Sequence, residues 1–300
     1  MQTVEVKHIS KSYNNTHAVE DLSFEVEQGE IFGLLGPNGA GKTTTIRLML
    51  NIFKPDSGTI SILDGPMIEA KKARIGYMPE ERGLYQDVLL ERCLLYLASL
   101  KGIPERETRT RLGEYLERFE LAEHKGKKVK ELSKGMQQKA QIISTILHQP
   151  ELIVVDEPFT ALDPLNVQIV KDLMIELHQR GVTIVMSTHQ MHLVEELCDR
   201  ILLIDQGRNV LYGALDEIRQ HFSGHAVLVH AQGDLRNIQG VREILPHNNA
   251  VKLVLDDRTM PQDVFKALAA SGTKVNMFEI ALPSLDEIFI QVVEGGEMHA

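Results

Sequence analysis

The chain has 300 residues, a formal net charge of −10 and only two cysteines. That length suits one large domain or two unequal ones, and the apolar and charged fractions are those of an ordinary soluble protein. The acidic balance argues against nucleic acid as a direct partner, and no apolar run approaches the ~20 residues that span a bilayer.

Thr3 to Ile9 alternates polar and apolar residues and predicts a strand, with Tyr13 in the polar turn Ser12 to Thr16 that follows. Tyr13 has two readings: a half-buried aromatic near a strand end, which its position alone favours, or a stacking platform for a purine ring. Ala18 to Val26 predicts a second strand, and Gln28-Gly29-Glu30 turns into a third, Ile31 to Leu35. There follow Gly36-Pro37-Asn38-Gly39-Ala40-Gly41-Lys42-Thr43 and a helix predicted from Thr44 to Leu50. Strand, glycine-rich loop and helix together make a P-loop, whose glycines let backbone N–H groups close on a phosphate. Lys42 would reach the β- and γ-phosphates, and the Thr43 hydroxyl would hold Mg²⁺.

Lys54 to Gly58 is a turn, Thr59 to Leu63 a short strand, and Ala73 to Met78 a strand ending at Pro79. Glu80, Glu81, Arg82 and Gly83 form a charged loop. From Val88 to Gln149 the pattern is helical, interrupted at Ile103-Pro104 and at a lysine-rich turn, Lys125 to Lys130, read as a solvated loop. Ser133 can cap a helix starting near Gly135, which offers free N–H groups and a positive end to an anion. Leu152 to Val155 is apolar throughout, as in a strand buried on both faces, and it ends in Asp156-Glu157. In P-loop enzymes a carboxylate there holds Mg²⁺. The second, Glu157, is placed to orient or deprotonate an attacking water. Asp163-Pro164 opens an amphipathic helix, Leu165 to Arg180, and His189 follows the buried strand Val182 to Ser187. Parallel α/β sheets place ligands at that end of a strand. A hairpin around Gln206-Gly207 and a helix, Ala214 to Phe222, follow. Cys93 and Cys198 are each read as reduced core residues in apolar helical stretches.

Beyond the junction Phe222-Ser223-Gly224, strands Ala226 to Ala231, Val251 to Leu255 and Lys274 to Ile280 and helices Pro261 to Ala270 and Ser284 to Val293 predict a small α+β module. It carries no catalytic constellation. The predicted boundaries are 1–221, with a helical subdomain at about 88–149, and 222–300. The fold class is α/β, with a largely parallel core.

Gly36 to Thr43, Leu132-Ser133-Lys134-Gly135-Met136-Gln137, Asp156-Glu157, Ala161-Leu162-Asp163 and His189 come in an order and spacing that resemble ATP-binding subunits of ABC transporters. The resemblance covers roughly Thr3 to Tyr212. It implies a RecA-like P-loop NTPase core with an antiparallel β subdomain and a helical signature subdomain. It implies ATP with Mg²⁺, the whole loop Gly36 to Thr43 with Thr44 on the phosphates, and Tyr13 on the adenine. It implies Ser133 and Gly135 on the γ-phosphate of the opposite protomer, Asp163 across the dimer interface, and His189 as a γ-phosphate switch. The signature departs from LSGGQ at Lys134 and Met136, and Glu80 stands where most members carry glutamine, a residue that reaches Mg²⁺.

The segments IGYMPEERGLY and PSLDEIFIQVV resemble ATPases serving bacterial ABC-2 type export permeases. The expectation is thus an ATPase, paired head to tail with itself or with a homologous subunit. It would drive a separate permease from the cytoplasmic face of the membrane. The alternative is an ABC ATPase acting on ribosomes or DNA. A single P-loop and the absence of sustained heptads count against that alternative.

Overall fold

The computed structural model describes residues 2–294 apart from 15, 82, 224, 233, 234, 236, 237, 248, 257 and 272. Arg82 of the charged loop and Gly224 of the junction lie outside the described residues. The chain divides after Gly213 into two compact units.

In the first unit, β1 (Gln2–Tyr13) and β2 (Thr16–Glu27) lead to the buried β3 (Ile31–Leu35), followed by α1 (Lys42–Met49), β4 (Ser57–Ile62) and β5 (Ile75–Met78). Three helices follow, α2 (Leu90–Ser99), α3 (Glu105–Arg118) and α4 (Lys134–Ile146). Then come β6 (Leu152–Asp156), α5 (Pro164–Gln179), β7 (Thr183–Thr188), α6 (Met191–Leu197), β8 (Arg200–Asp205) and β9 (Arg208–Ala214).

Two sheets share one core. The order β2-β1-β4 forms an antiparallel sheet, and β5-β6-β7-β3-β8-β9 a larger one in which β5, β6, β7, β3 and β8 run parallel. Alternation in β1 and β2 turns Val4, Val6, Leu22, Phe24 and Val26 to one side, where they meet Phe32, Leu34, Ile46 and Leu202. Every residue of β3, β6 and β7 is buried, so these strands carry no alternation to read. The helical segment has its own apolar faces: Leu90, Cys93 and Leu94 on α2, Leu112 and Leu116 on α3, and Ile142, Ile143 and Ile146 on α4. Burying one side chain of that size is worth about 1.5–3 kcal/mol.

Three readings are corrected. Tyr13 ends strand β1 instead of sitting in a turn. Ala73 and Arg74 belong to a 3₁₀ turn, Glu69–Arg74, and the strand begins only at Ile75. Cys198 follows α6 in extended backbone at its C-cap, although it is buried as expected.

The second unit holds α7 (Leu215–His221), β10 (Ala226–Gln232), β11 (Val241–His247), β12 (Ala250–Leu255), α8 (Pro261–Ala270), β13 (Lys274–Ile280) and α9 (Leu285–Glu294). Its antiparallel sheet has the order β11-β12-β10-β13. Val264 and Leu268 of α8 pack on Val227, Val229, Leu253 and Leu255. Strand β11 was not expected; it contains Pro246, lies at a sheet edge where proline is tolerated, and is mostly exposed. Helix α7 falls in this unit, whereas the sequence boundary after 221 grouped it with the first.

A chain ending at Ala214 keeps all of β9 and both sheets of the first core. We expect it to fold cooperatively and bind ATP. Calorimetry should give one transition within a few degrees of the corresponding transition of the full chain. Failure to fold would mean that the two units complete one core.

Candidate nucleotide site

Four consecutive strands of the parallel sheet, β5, β6, β7 and β3, deliver the site from their C-terminal ends. Glu80 follows β5, Asp156 ends β6 with Glu157 beyond it, His189 follows β7, and the loop Gly36–Gly41 follows β3. The end of such a sheet is where strand and helix termini leave backbone groups free for ligands.

The loop is shaped by backbone that few side chains could share. Gly36 and Gly41 have φ of 142° and 112°; a Cβ would lie 2.1 Å from Ile204 O at the first and 2.4 Å from Ala18 O at the second. Both positions are therefore closed to any larger residue. The loop runs into α1 at Lys42, whose ammonium donates to Gly36 O at 2.7 Å and to Pro37 O at 3.1 Å. Burial pulls the Lys42 pKa below the usual lysine value, and the carboxylates of Glu157, Asp156 and Glu80 pull it back up.

Beside them lies a cavity of about 310 Å³ lined by Ala18, Asn38, Gly39, Gly41, Lys42, Thr43, Thr44, Glu80, Asp156 and Glu157, but not by Gly36, Pro37, Ala40 or His189. Asp156 is 1% exposed. Its Oδ1 accepts from Ser187 Oγ, while its buried Oδ2 has no partner among the described residues. A buried carboxylate oxygen without a donor is costly, and it fits a cation on that side. Oxygen donors from Thr43, Asp156 and Glu80 suit a hard divalent ion such as Mg²⁺. Among the described residues no cluster of three or more His, Cys, Asp or Glu could hold a metal by itself. Phosphate and water would have to complete the shell, as they commonly do for Mg²⁺.

Glu157 is 7% exposed and has φ of 52°, a left-handed conformation that non-glycine residues adopt at a cost. Its Oε1 lies 2.8 Å from His189 Nδ1, and its Oε2 accepts from Thr188 Oγ1 at 3.3 Å. The carboxylate is thereby aimed from two sides, and the pair can hold or pass a proton.

Tyr13, Ser133, Gly135 and Asp163 do not line this cavity. Tyr13 is 39% exposed, with its ring 6.0 Å from and edge-on to Phe53. Ser133 caps α4, accepting from Met136 N at 3.2 Å. Asp163 caps α5 through Asn166 N at 3.0 Å; the Asn166 amides hold its carboxyl below the usual range. The two caps are near each other, since a Cβ on Gly135 would lie 3.0 Å from Ala161 O. Sequence reasoning missed Ser187 and Thr188. The available signal was two adjacent hydroxyl residues closing a buried strand just before His189.

Comparison with known proteins agrees with this architecture. The ABC transporter family profile matches residues 19–160, and that of the ATP-binding protein DrrA1-3-like C-terminal domain matches residues 213–293. An uncharacterized ABC transporter ATP-binding protein of Bacillus subtilis (strain 168), YhaQ, is 42% identical over 96% of this chain and 97% of its own length. The Nod factor export ATP-binding protein I of Mesorhizobium japonicum is 35% identical over 83% of this chain and 74% of its own. A solved ATP-binding subunit of an ABC transporter superposes with a TM-score of 0.69 at 35% identity, over 73% of this chain and 93% of that one. The chain belongs to the ABC transporter ATP-binding proteins, the ATPases of those transporters, and it carries a DrrA1-3-like C-terminal domain.

Proposed function

We propose that this ATPase closes as a head-to-tail dimer on two ATP molecules and powers a separate ABC-2 type permease, in the direction of export. The observation that carries the reading is the one-sidedness of the cavity. Lys42, Asp156 and Glu157 line it, whereas Ser133 and Gly135 of the same chain do not. A second copy, or a homologous subunit, would bring its Ser133 and the positive end of its α4 to the γ-phosphate. Asp163, on the neighbouring cap, would lie at the same junction.

In this reading the backbone N–H groups of the loop Gly36 to Thr44, Pro37 aside, face the phosphates, Lys42 neutralises their charge, and Tyr13 stacks on the adenine. Glu157 accepts a proton from the attacking water while His189 holds the carboxylate and senses the γ-phosphate. Thr43, Asp156 and Glu80 would hold Mg²⁺, which supplies charge neutralisation at the phosphates.

A permease contact is supported by an exposed apolar strip beside the Glu80 loop. Tyr85, Tyr96 and Leu100 are 49%, 50% and 62% exposed, and the two tyrosine rings meet edge-on at 5.7 Å. Apolar surface of that kind marks a contact with another protein. Among the described residues no helix is long and apolar enough to cross a membrane, so attachment to the inner face of the membrane would run through the permease. The relative named for Nod factor export supports the direction.

Glu157→Gln should bind ATP, lose about 10²–10⁴-fold in turnover, and accumulate as an ATP-trapped dimer. Phosphate release measured alongside light scattering tests both points. Turnover within a few-fold of the unaltered protein would sink the assignment of Glu157.

Glu80 offers a charged oxygen where a glutamine would offer a neutral one. It favours a divalent ion and repels the γ-phosphate when the ion is absent. Glu80→Gln should therefore tighten ATP binding without Mg²⁺ and shrink the gain on adding it. Titrations with and without the ion measure that gain, and an unchanged gain would place Glu80 outside the ion's reach.

A further inference from the structure

Helix α4 does more than present Ser133. Gln138 and Gln141 lie three residues apart, so they share a face of the helix, and both are buried, at 5% and 3% exposure. Each spends its side-chain amide on the backbone of a loop at the nucleotide cavity. Gln138 Nε2 donates to Pro158 O at 3.0 Å and to Glu157 O at 3.4 Å. Gln141 Nε2 donates to Pro79 O at 2.7 Å and to Glu81 O at 3.4 Å, on either side of Glu80.

Chemistry fixes which end of the Gln141 amide faces the loop. Two carbonyl oxygens accept, so the NH₂ group must meet them. Among the described residues the buried amide oxygen has no partner, and an unmade buried bond is unfavourable. The side chain is thus committed to the loop at the expense of its own acceptor. The C-terminal end of the same helix, with the residues just after it, packs closely against β5. A Cβ on Gly76 would lie 2.3 Å from Thr145 O, and His148 Nε2 is 3.1 Å from Ile75 O. Between Met78 and Leu84, Gln141 ties the Glu80 segment to α4 through both of its amide hydrogens.

From this geometry we infer that Gln141, with Gln138 one turn before it, is a positioning residue. The pair holds the Glu80 loop and the Glu157 loop in fixed relation to Ser133 on one rigid helix. A displacement of α4 then moves Glu80 and Glu157 together. The effect on Mg²⁺ rests on the proposed contact of Glu80 with the ion; the effect on the loop does not.

The test uses the full chain with Gln141→Met, close in volume but without the donor. Hydrogen exchange of the nucleotide-free protein should show the amides of Glu80, Glu81, Leu84 and Tyr85 exchanging about tenfold faster, with those of β6 unchanged. Half-saturating Mg²⁺ for ATP hydrolysis should rise by about tenfold, with KM for ATP at saturating Mg²⁺ little changed because the P-loop is untouched. Gln141→Asn, which keeps a shorter amide donor, should recover part of both effects. It also serves if the methionine variant does not fold. Faster loop exchange with an unchanged Mg²⁺ requirement in both Gln141→Met and Glu80→Gln would uphold the positioning role and overturn the metal contact of Glu80. Unchanged loop exchange, or faster exchange spread evenly over the first unit, would overturn the inference.

Discussion

The site depends on one buried ammonium. Lys42 is 7% exposed and satisfied by two carbonyls of its own loop, while three carboxylates act on it from the facing strands. One ammonium faces three carboxyl groups in this cavity. Charges a few Å apart interact by about 4 kcal/mol at an effective dielectric near 20, so a nucleotide held here, as proposed, would need its own charge countered. Loop N–H groups, the α1 N-terminus and a divalent ion are the available means.

That arrangement is a property of strand order. Because β5, β6, β7 and β3 are consecutive neighbours in the sheet, residues from positions 36 to 189 meet at one edge without a long loop. Each strand contributes its chemistry at its last residue or just past it. The rigidity comes from complete burial of β3, β6 and β7. The left-handed backbone at Glu157 is affordable there because its N–H is bonded to Ser187 O at 3.1 Å and its carbonyl is held by Gln138.

Much of this was legible in the sequence where backbone geometry dictates residue type. The P-loop glycines, the Ser133 and Asp163 caps and the apolar run before Asp156 are local demands with local signatures. The rest failed for physical reasons. Strand β11 has one exposed face after another and a proline, so neither alternation nor β-propensity marks it. Ala73 and Arg74 look like strand because they adjoin one, yet a 3₁₀ turn absorbs them. The roles of Gln138 and Gln141 depend on loops 20 and 62 residues away in sequence, and no spacing rule reports a contact of that range. The helical segment at 88–149 was legible because α2, α3 and α4 each bury a periodic face.

The departures at Lys134 and Met136 follow the same logic. The bond that makes the cap runs from the backbone N–H of Met136 to Ser133 Oγ, so the side chain at 136 is free to vary. Lys134 is the first residue of α4, and an ordinary helical backbone there makes no demand for glycine. Helix stability alone would select against lysine at that position, since the N-terminus of a helix is already positive. The first turn of α4 contains no acidic residue to offset it. Such an end is suited to an anion. It is thus consistent with the docking against a second copy's nucleotide proposed from the one-sided cavity.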